Sequence, residues 1–150
     1  MTVADAGLMM TIVLIGLLTG NELGTLIIHS TLDGLSFDES RPAAQAIVTR
    51  MGRLMPIAMP LTLLVTFASA IACTGNASAL LTIAGVALVV MLVITFVGLM
   101  PLNSRELGAT AGTAEADWRG WRKRWLHLHS FRVVCDLTAL VLVAIAAVLT

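Results

Sequence analysis

Tyrosine is absent from this chain of 150 residues; aromatic residues make up only 5% of it and charged residues only 12%. A soluble domain would carry about twice that share of charge, so most of the chain is not built to face water. Cysteine is scarce too, and Cys73 and Cys135 form no CxxC pair. They fall near opposite ends of two different apolar segments, some 20 Å or more apart at about 1.5 Å of rise per residue. A disulfide needs Cα atoms within about 7 Å, so neither a disulfide nor a dithiol redox centre is expected. Phosphate-binding glycine loops, nucleophile triads, paired-cysteine metal motifs and internal repeats are all missing. The first five residues, Met1 to Asp5, hold no base. They lack the basic region of a signal peptide, and the first apolar segment is expected to be retained.

What the chain does have is hydrophobic length. Of its residues 58% are hydrophobic, and four runs stand out, about Leu8–Ile28, Pro56–Thr74, Leu80–Met100 and Phe131–Leu149. Each approaches the roughly 20 residues that cross a bilayer core of about 30 Å. The expected fold is all-α: one four-span domain over residues 1–150, with TM1 about 8–28, TM2 about 56–74, TM3 about 80–100 and TM4 about 131–149. All nine basic residues fall on one side of this arrangement. Arg41, Arg50 and Arg53 follow TM1; Arg105, Arg119, Arg122, Lys123 and Arg124 follow TM3, and Arg132 begins TM4. Cytoplasmic segments collect Lys and Arg. A multi-pass cell-membrane protein is therefore expected, with both termini outside and loops 29–55 and 101–130 in the cytoplasm.

Local signals refine the spans. Gly16, Gly20 and Gly24 recur every four residues along TM1, a spacing that lets another helix approach; the same face could serve a homo-oligomer. Ser40-Arg41-Pro42 reads as a helix start, with the helix under way near Ala43 and bent at Pro56 and Pro60. Residues Ser104–Ala116 read as an irregular loop. Trp118, Trp121 and Trp125 then share one helical face, among Arg119, Arg122, Lys123 and Arg124. This pattern predicts a short amphipathic helix lying in the interface before TM4, tryptophans at headgroup depth and bases toward anionic lipid. Its place beside a span points to the membrane surface and not to nucleic acid.

Ionisable groups inside a membrane are costly and usually face the bundle interior. Glu22, Thr25 and His29 form one stripe on TM1; Trp125, His129, Arg132 and Asp136 form another at the start of TM4. TM1 and TM4 run in opposite directions, so the stripes match in depth, His29 with His129 and Arg132, Glu22 with Asp136 or Arg132. Asn103 ends TM3, and Arg50 and Arg53 begin TM2, on the same side. These groups can converge on one pocket at the cytoplasmic end. Three chemistries fit it. Glu22, His29 and His129 could bind iron or copper with positions open for oxygen, Asn103 serving as a further ligand or an outer donor. His29 and His129 could be the axial ligands of a haem. Glu22 could be the exchanging carboxylate of a small proton-coupled transporter. The plainer reading is that such pairs only join helices, contributing about 1 kcal/mol each. The arrival of all of them at one depth favours a site. His127, two residues from His129, lies on another face and is read as interfacial.

The order Gly20-Asn21-Glu22 and His29 in TM1, Arg53 with Met55-Pro56 and Met59-Pro60 in TM2, Pro101-Leu102-Asn103 after TM3, and Arg124-Trp125, His129 and Arg132 before TM4 resembles the anthrone oxygenase-like family over nearly the whole chain. The resemblance implies a small four-helix integral membrane protein. For some members it implies oxidation of a polycyclic anthrone to an anthraquinone by molecular oxygen. It points to Asn21, Glu22, His29, Asn103, Trp125, His129 and Arg132. The absence of tyrosine departs from what an aromatic substrate pocket would use for stacking; Met, Leu, Phe67, Phe96 and a tryptophan would have to line it.

The leading expectation is a membrane oxidoreductase using oxygen on a hydrophobic small molecule, with a metal at the cytoplasmic end. Glu22, His29 and His129 would be ligands or acid–base groups, and Arg132 and Asn103 would orient a substrate oxygen or stabilise negative charge. A tuned His or Glu base could also start a cofactor-free oxygenation. The alternatives are the transporter built on Glu22 and a haem-bearing or purely structural membrane subunit.

Overall fold

The computed structural model describes residues 2–150, and the described residues fold into helices without a strand. Helix α1 spans Val3–Thr31 and ends in a 3-10 turn, Leu32–Gly34; α2 spans Phe37–Ala72 and α3 Gly75–Val93. A π-helical segment, Ile94–Leu99, continues α3 directly into α4, Met100–Leu107; α5 spans Glu115–Val148. Four rods result, of 32, 36, 33 and 34 residues, each long and apolar enough to cross a membrane. The chain is a multi-pass membrane protein. At about 1.5 Å per residue the longest rod is about 54 Å, well beyond the roughly 30 Å hydrocarbon core. The helices outrun the bilayer, and the surplus lies at the arginine-bearing end.

Each of α1 and α3 packs on both α2 and α5, so the rods stand in a square with α1 diagonal to α3. Neighbours are antiparallel: Thr11 bonds Ser69, whereas Asn21 reaches Met55. The end away from the arginines holds a tight apolar core of Ile15, Leu81, Leu88, Met91 and Val143 with Ala77, Ala84, Ala139 and Ala146. Lipid tails supply no hydrophobic drive between helices, so small residues that allow close packing matter most here. The other end carries two smaller clusters, Leu99–Leu102–Trp125 and Leu32–Ala44–Ala109–Trp118. The turn between α2 and α3 needs a left-handed residue, and Gly75 provides it with φ +60°. Ser78 Oγ closes that turn on the Ala70 carbonyl at 2.7 Å. Cys73 and Cys135 are free thiols.

Several local expectations shift. Helix α2 begins at Phe37, ahead of Ser40, because Ser36 and Glu39 form a reciprocal capping box. Those same Ser36 hydrogen bonds hold the exposed Glu39 carboxyl below its usual range. The loop shortens, since α4 takes up Ser104–Leu107. The Trp118–Trp125 segment is not a separate interfacial helix. It is the first part of α5, and Trp118 and Trp125 are buried in the bundle rather than anchored among headgroups. No atom of another element comes within 4 Å of a Cβ built on Gly16, Gly20 or Gly24, so these glycines do not mediate packing within the chain. The close approaches are at Gly7, Gly85 and Gly98 instead.

The end of α4 is capped from α2. Gln45 Nε2 lies 2.9, 3.4 and 3.0 Å from the carbonyl oxygens of Glu106, Leu107 and Ala109. These are carbonyls that a helix C-terminus leaves without intrahelical partners. Gln45→Glu keeps the shape but turns donors into acceptors. It should lower the thermal unfolding midpoint in detergent more than Gln45→Met does, by about 1–3 kcal/mol relative to wild type. Circular dichroism melts decide, and a Glu variant no worse than Met would remove the capping role.

Candidate functional site

Where the tight core ends, α1 and α5 face each other with polar residues. On α1 the stripe Thr19, Glu22, Thr25 and His29 is buried; on α5 the stripe Trp118, Arg122, Trp125, His129, Arg132 and Asp136 is buried. Both repeat at three and four residues, which on an α-helix is one face. Antiparallel pairing then sets rungs. Arg132 Nη2 donates to Glu22 Oε1 at 2.7 Å, both side chains nearly inaccessible. The same nitrogen lies 3.6 Å from Met59 Sδ on α2. His129 Nε2 lies 3.0 Å from the Glu22 carbonyl oxygen and 3.5 Å from Glu22 Oε2.

One rung further, Trp125 organises two histidines. It stacks on His29 with ring centroids 4.1 Å apart and on His129 at 4.5 Å, the planes within 20° and 14°. Two imidazoles cannot overlap one face of an indole at these separations, so the indole stands between them. Its orientation is held by Asn103 Oδ1, which accepts the indole N–H at 2.7 Å. Beyond it Arg122 reaches His29 and Asp33, and then Trp118 donates to Ser40 Oγ at 3.2 Å.

Glu22, Thr25, His29, Trp125, His129 and Arg132 form one wall of a cavity of about 410 Å³. Asn21, Glu22, His29, Asn103, Trp125, His129 and Arg132, the residues the sequence singled out, all line it. The opposite wall is apolar, built from Val48, Met51, Met55 and Met59 of α2, from Leu92 of α3 and from Phe96 and Leu99 of the π segment. Thr95 in that segment turns its hydroxyl back to the Met91 carbonyl at 2.8 Å. Phe96 and Met100 are exposed on the outside of the bundle, so the cavity reaches the lipid-facing surface between α2 and the α3–α4 rod.

Not every expected residue converges. Arg50 and Arg53 are exposed and do not line the cavity. Asp136 is fully buried but lies off the cavity wall, and neither carboxyl oxygen has a partner among the described residues. Glu22, His29 and His129 do not face one common point, because Trp125 stands between the imidazoles and Arg132 holds one Glu22 oxygen. Among the described residues no three His, Cys, Asp or Glu side chains gather closely enough to hold a metal ion. Arg122, expected to point toward anionic lipid, is instead buried. Its spacing carries the signal: Trp118, Arg122, Trp125, His129, Arg132 and Asp136 continue one alternation of four and three.

Fold and site together define a multi-pass membrane four-helix bundle with a polar-walled cavity near one end. The chain matches, over residues 45–142, the family described as anthrone oxygenase, and it belongs to that family. The match takes in Asn103, Trp125, His129 and Arg132 and begins after Glu22 and His29. No curated protein matches the chain, and no solved structure does.

A buried ion pair broken on one side leaves an uncompensated charge, at a cost of about 3–5 kcal/mol. Arg132→Met and Glu22→Met should each lower stability by about that much in detergent melts, and the double variant should recover most of it. Additive losses in the double variant would show that the two side chains do not depend on each other.

Proposed function

We propose that this protein is a membrane-embedded oxygenase that converts an activated methylene of a hydrophobic, carbonyl-bearing polycyclic compound, an anthrone, to a ketone. Overall, one methylene and one molecule of oxygen give one carbonyl and one molecule of water. The substrate supplies all four electrons, so no external reductant is required. The observation that carries this reading is the Glu22–His129–Arg132 cluster on the wall of a largely apolar cavity, in a chain of the anthrone oxygenase family.

His129 is suited to begin the reaction. Its Nε2 faces two acceptors of Glu22, the carbonyl oxygen and a carboxyl oxygen, so Nε2 carries the ring hydrogen. Nδ1 then keeps its lone pair, and it is buried without a partner. A base of this kind takes the C–H proton beside the conjugated carbonyl. The carbanion adds oxygen, the resulting peroxide takes a proton, and loss of the remaining C–H proton with O–O cleavage releases water and leaves the ketone. Glu22 orients the imidazole and stabilises it once protonated, as a carboxylate does in a triad. Arg132 Nε, buried without a partner, and the Asn103 amide N–H groups are donors for the oxygens that gain charge.

The substrate enters from the bilayer through the opening beside Phe96 and Met100. By the distribution of basic residues the cavity sits at the cytoplasmic end, with both termini outside. The engagement of Glu22 by Arg132, and its place near one end of the bundle, favour this reading over proton-coupled transport, whose sites usually sit near midplane. Iron or copper remains a testable addition: Glu22 and His129 would contribute ligands, and the metal would activate oxygen.

The test is oxygen uptake by nanodisc-embedded protein given an anthrone, corrected for spontaneous oxidation. Wild type should consume one molecule of oxygen per substrate and, with oxygen-18 gas, place one labelled atom in the new carbonyl. His129→Gln and Glu22→Gln should each lower the rate by roughly 100-fold or more. Unchanged rates in both variants would sink the assignment. A rate that tracks bound iron or copper and disappears on chelation would replace the side-chain base with a metal centre.

A further inference from the structure

Arg122 has no role in the reaction drawn above, yet it is one of the most enclosed cations in the molecule, 3% exposed. Its Nη2 donates to the His29 carbonyl at 2.5 Å, and Nε and Nη2 both reach Asp33 Oδ1 at 3.2 Å. Its Nη1 lies 3.4 Å from His29 Nδ1. A guanidinium has donors only. It can face Nδ1 only if that nitrogen is bare, so the single hydrogen of the neutral ring sits on Nε2. His29 Nε2 is buried with no partner in the chain, on a ring that lines the cavity. A buried donor left without an acceptor costs about 1–3 kcal/mol, and a ligand oxygen in the cavity would satisfy it. His129 is the same tautomer, but there the protonated Nε2 is the partnered nitrogen and the bare Nδ1 is the one left without a partner. The two imidazoles stacked on Trp125 thus offer opposite chemistry, one a lone pair and the other an N–H.

We infer that Arg122, held by Asp33, is a positioning residue that fixes His29 as an Nε2–H donor to the carbonyl oxygen of the bound ligand. The identity of that ligand rests on the oxygenase reading; the tautomer lock does not. When the base at His129 removes the C–H proton, the electron pair moves into the conjugated system and negative charge grows on the carbonyl oxygen. His29 donates a hydrogen bond to that oxygen and transfers no atom. Such a donor, fixed in a site that excludes water, favours the charged state over the neutral one.

The lock is readable without turnover. The chain has three histidines, His29, His127 and His129, so nitrogen-15 histidine spectra of nanodisc-embedded protein can be assigned with His127→Gln and His129→Gln. Wild type should show His29 with Nδ1 bare and Nε2 protonated. Anthraquinone, a carbonyl ligand, should move the His29 Nε2 signal and leave His127 in place. Arg122→Gln, whose amide can present either a donor or an acceptor to Nδ1, should give a mixture of tautomers, and Arg122→Lys should keep the wild-type one. With an anthrone, Arg122→Gln should lose roughly 10- to 100-fold in kcat with KM within about twofold. Arg122→Lys should recover most of that loss, and Lys123→Gln, on the exposed face, should match wild type. A protonated Nδ1 in wild-type His29, tautomers unchanged by Arg122→Gln, or no response to anthraquinone would each overturn the proposal. Tautomer and anthraquinone responses as expected, in a protein that oxidises no anthrone, would support the lock and remove the oxygenase reading instead.

Discussion

An ionised carboxylate cannot stay in hydrocarbon alone, and the Glu22–Arg132 contact at 2.7 Å is the condition on which the rest of this bundle rests. Placing either charge at membrane depth costs about 3 kcal/mol or more, and only a partner on another helix at the same level relieves it. That requirement fixes the register of α1 against α5. With Glu22 set opposite Arg132, the antiparallel rods bring His29 beside Arg122 seven residues further along one helix and ten residues back along the other. The remaining rungs, from Asp33 to Trp118 and Ser40, follow from the same alignment. The stack of His29 on Trp125 depends on it as well, because that ring comes from α1 while Trp125 and His129 stack within α5.

A register set by charge also explains why the two ends of the bundle differ. Away from the pair, alanines let α3 and α5 approach closely in a tight apolar core. At the pair, long side chains fill α1 and α5 while α2 offers Met51, Met55 and Met59, flexible and unbranched. The helices cannot close evenly around such unequal contents, and the space left over is the cavity. Its chemistry is correspondingly one-sided, with the ionisable groups on the α1–α5 wall and thioethers, Phe96 and leucines on the other.

Most of this was legible in the sequence because it depends on spacing and sign. Four apolar runs gave four spanning helices, and stripes at three and four residues placed Glu22, His29, Trp125, His129 and Arg132 on facing surfaces. What could not be read was which way an amphipathic helix turns. Trp118 through Trp125, interleaved with arginines, has the same pattern whether its aromatic face meets headgroups or other helices. The deciding fact is that α5 is continuous through His129, so the buried stripe of TM4 extends back to Trp118 and carries Arg122 inward with it. The outcome for Gly16, Gly20 and Gly24 has a similar cause. Small residues permit close approach but do not compel it, and the α1 face that the ion pair turns inward is the one bearing Glu22. The metal expectation came from residue types at one depth. Depth does not fix direction, and an indole between two imidazoles is a feature of packing that no spacing rule encodes.

The π-helical segment was also invisible in sequence, and it matters more than its six residues suggest. A π turn amounts to one residue inserted in an α-helix, and one residue is about 100° of rotation at 3.6 residues per turn. Everything after Leu99 is therefore turned relative to the face that α3 packs on α5. Asn103 follows four residues after Leu99 and lines the cavity, where its Oδ1 accepts the indole N–H of Trp125 at 2.7 Å. The segment lies beside the cavity and at its lipid-facing opening, since Phe96 within it both lines the space and is exposed outside. The α3–α4 rod contributes Asn103, which steadies the indole of the polar wall, and it contributes Phe96 and Met100, which stand at the lipid-facing opening through which an apolar molecule dissolved in the membrane would reach that wall.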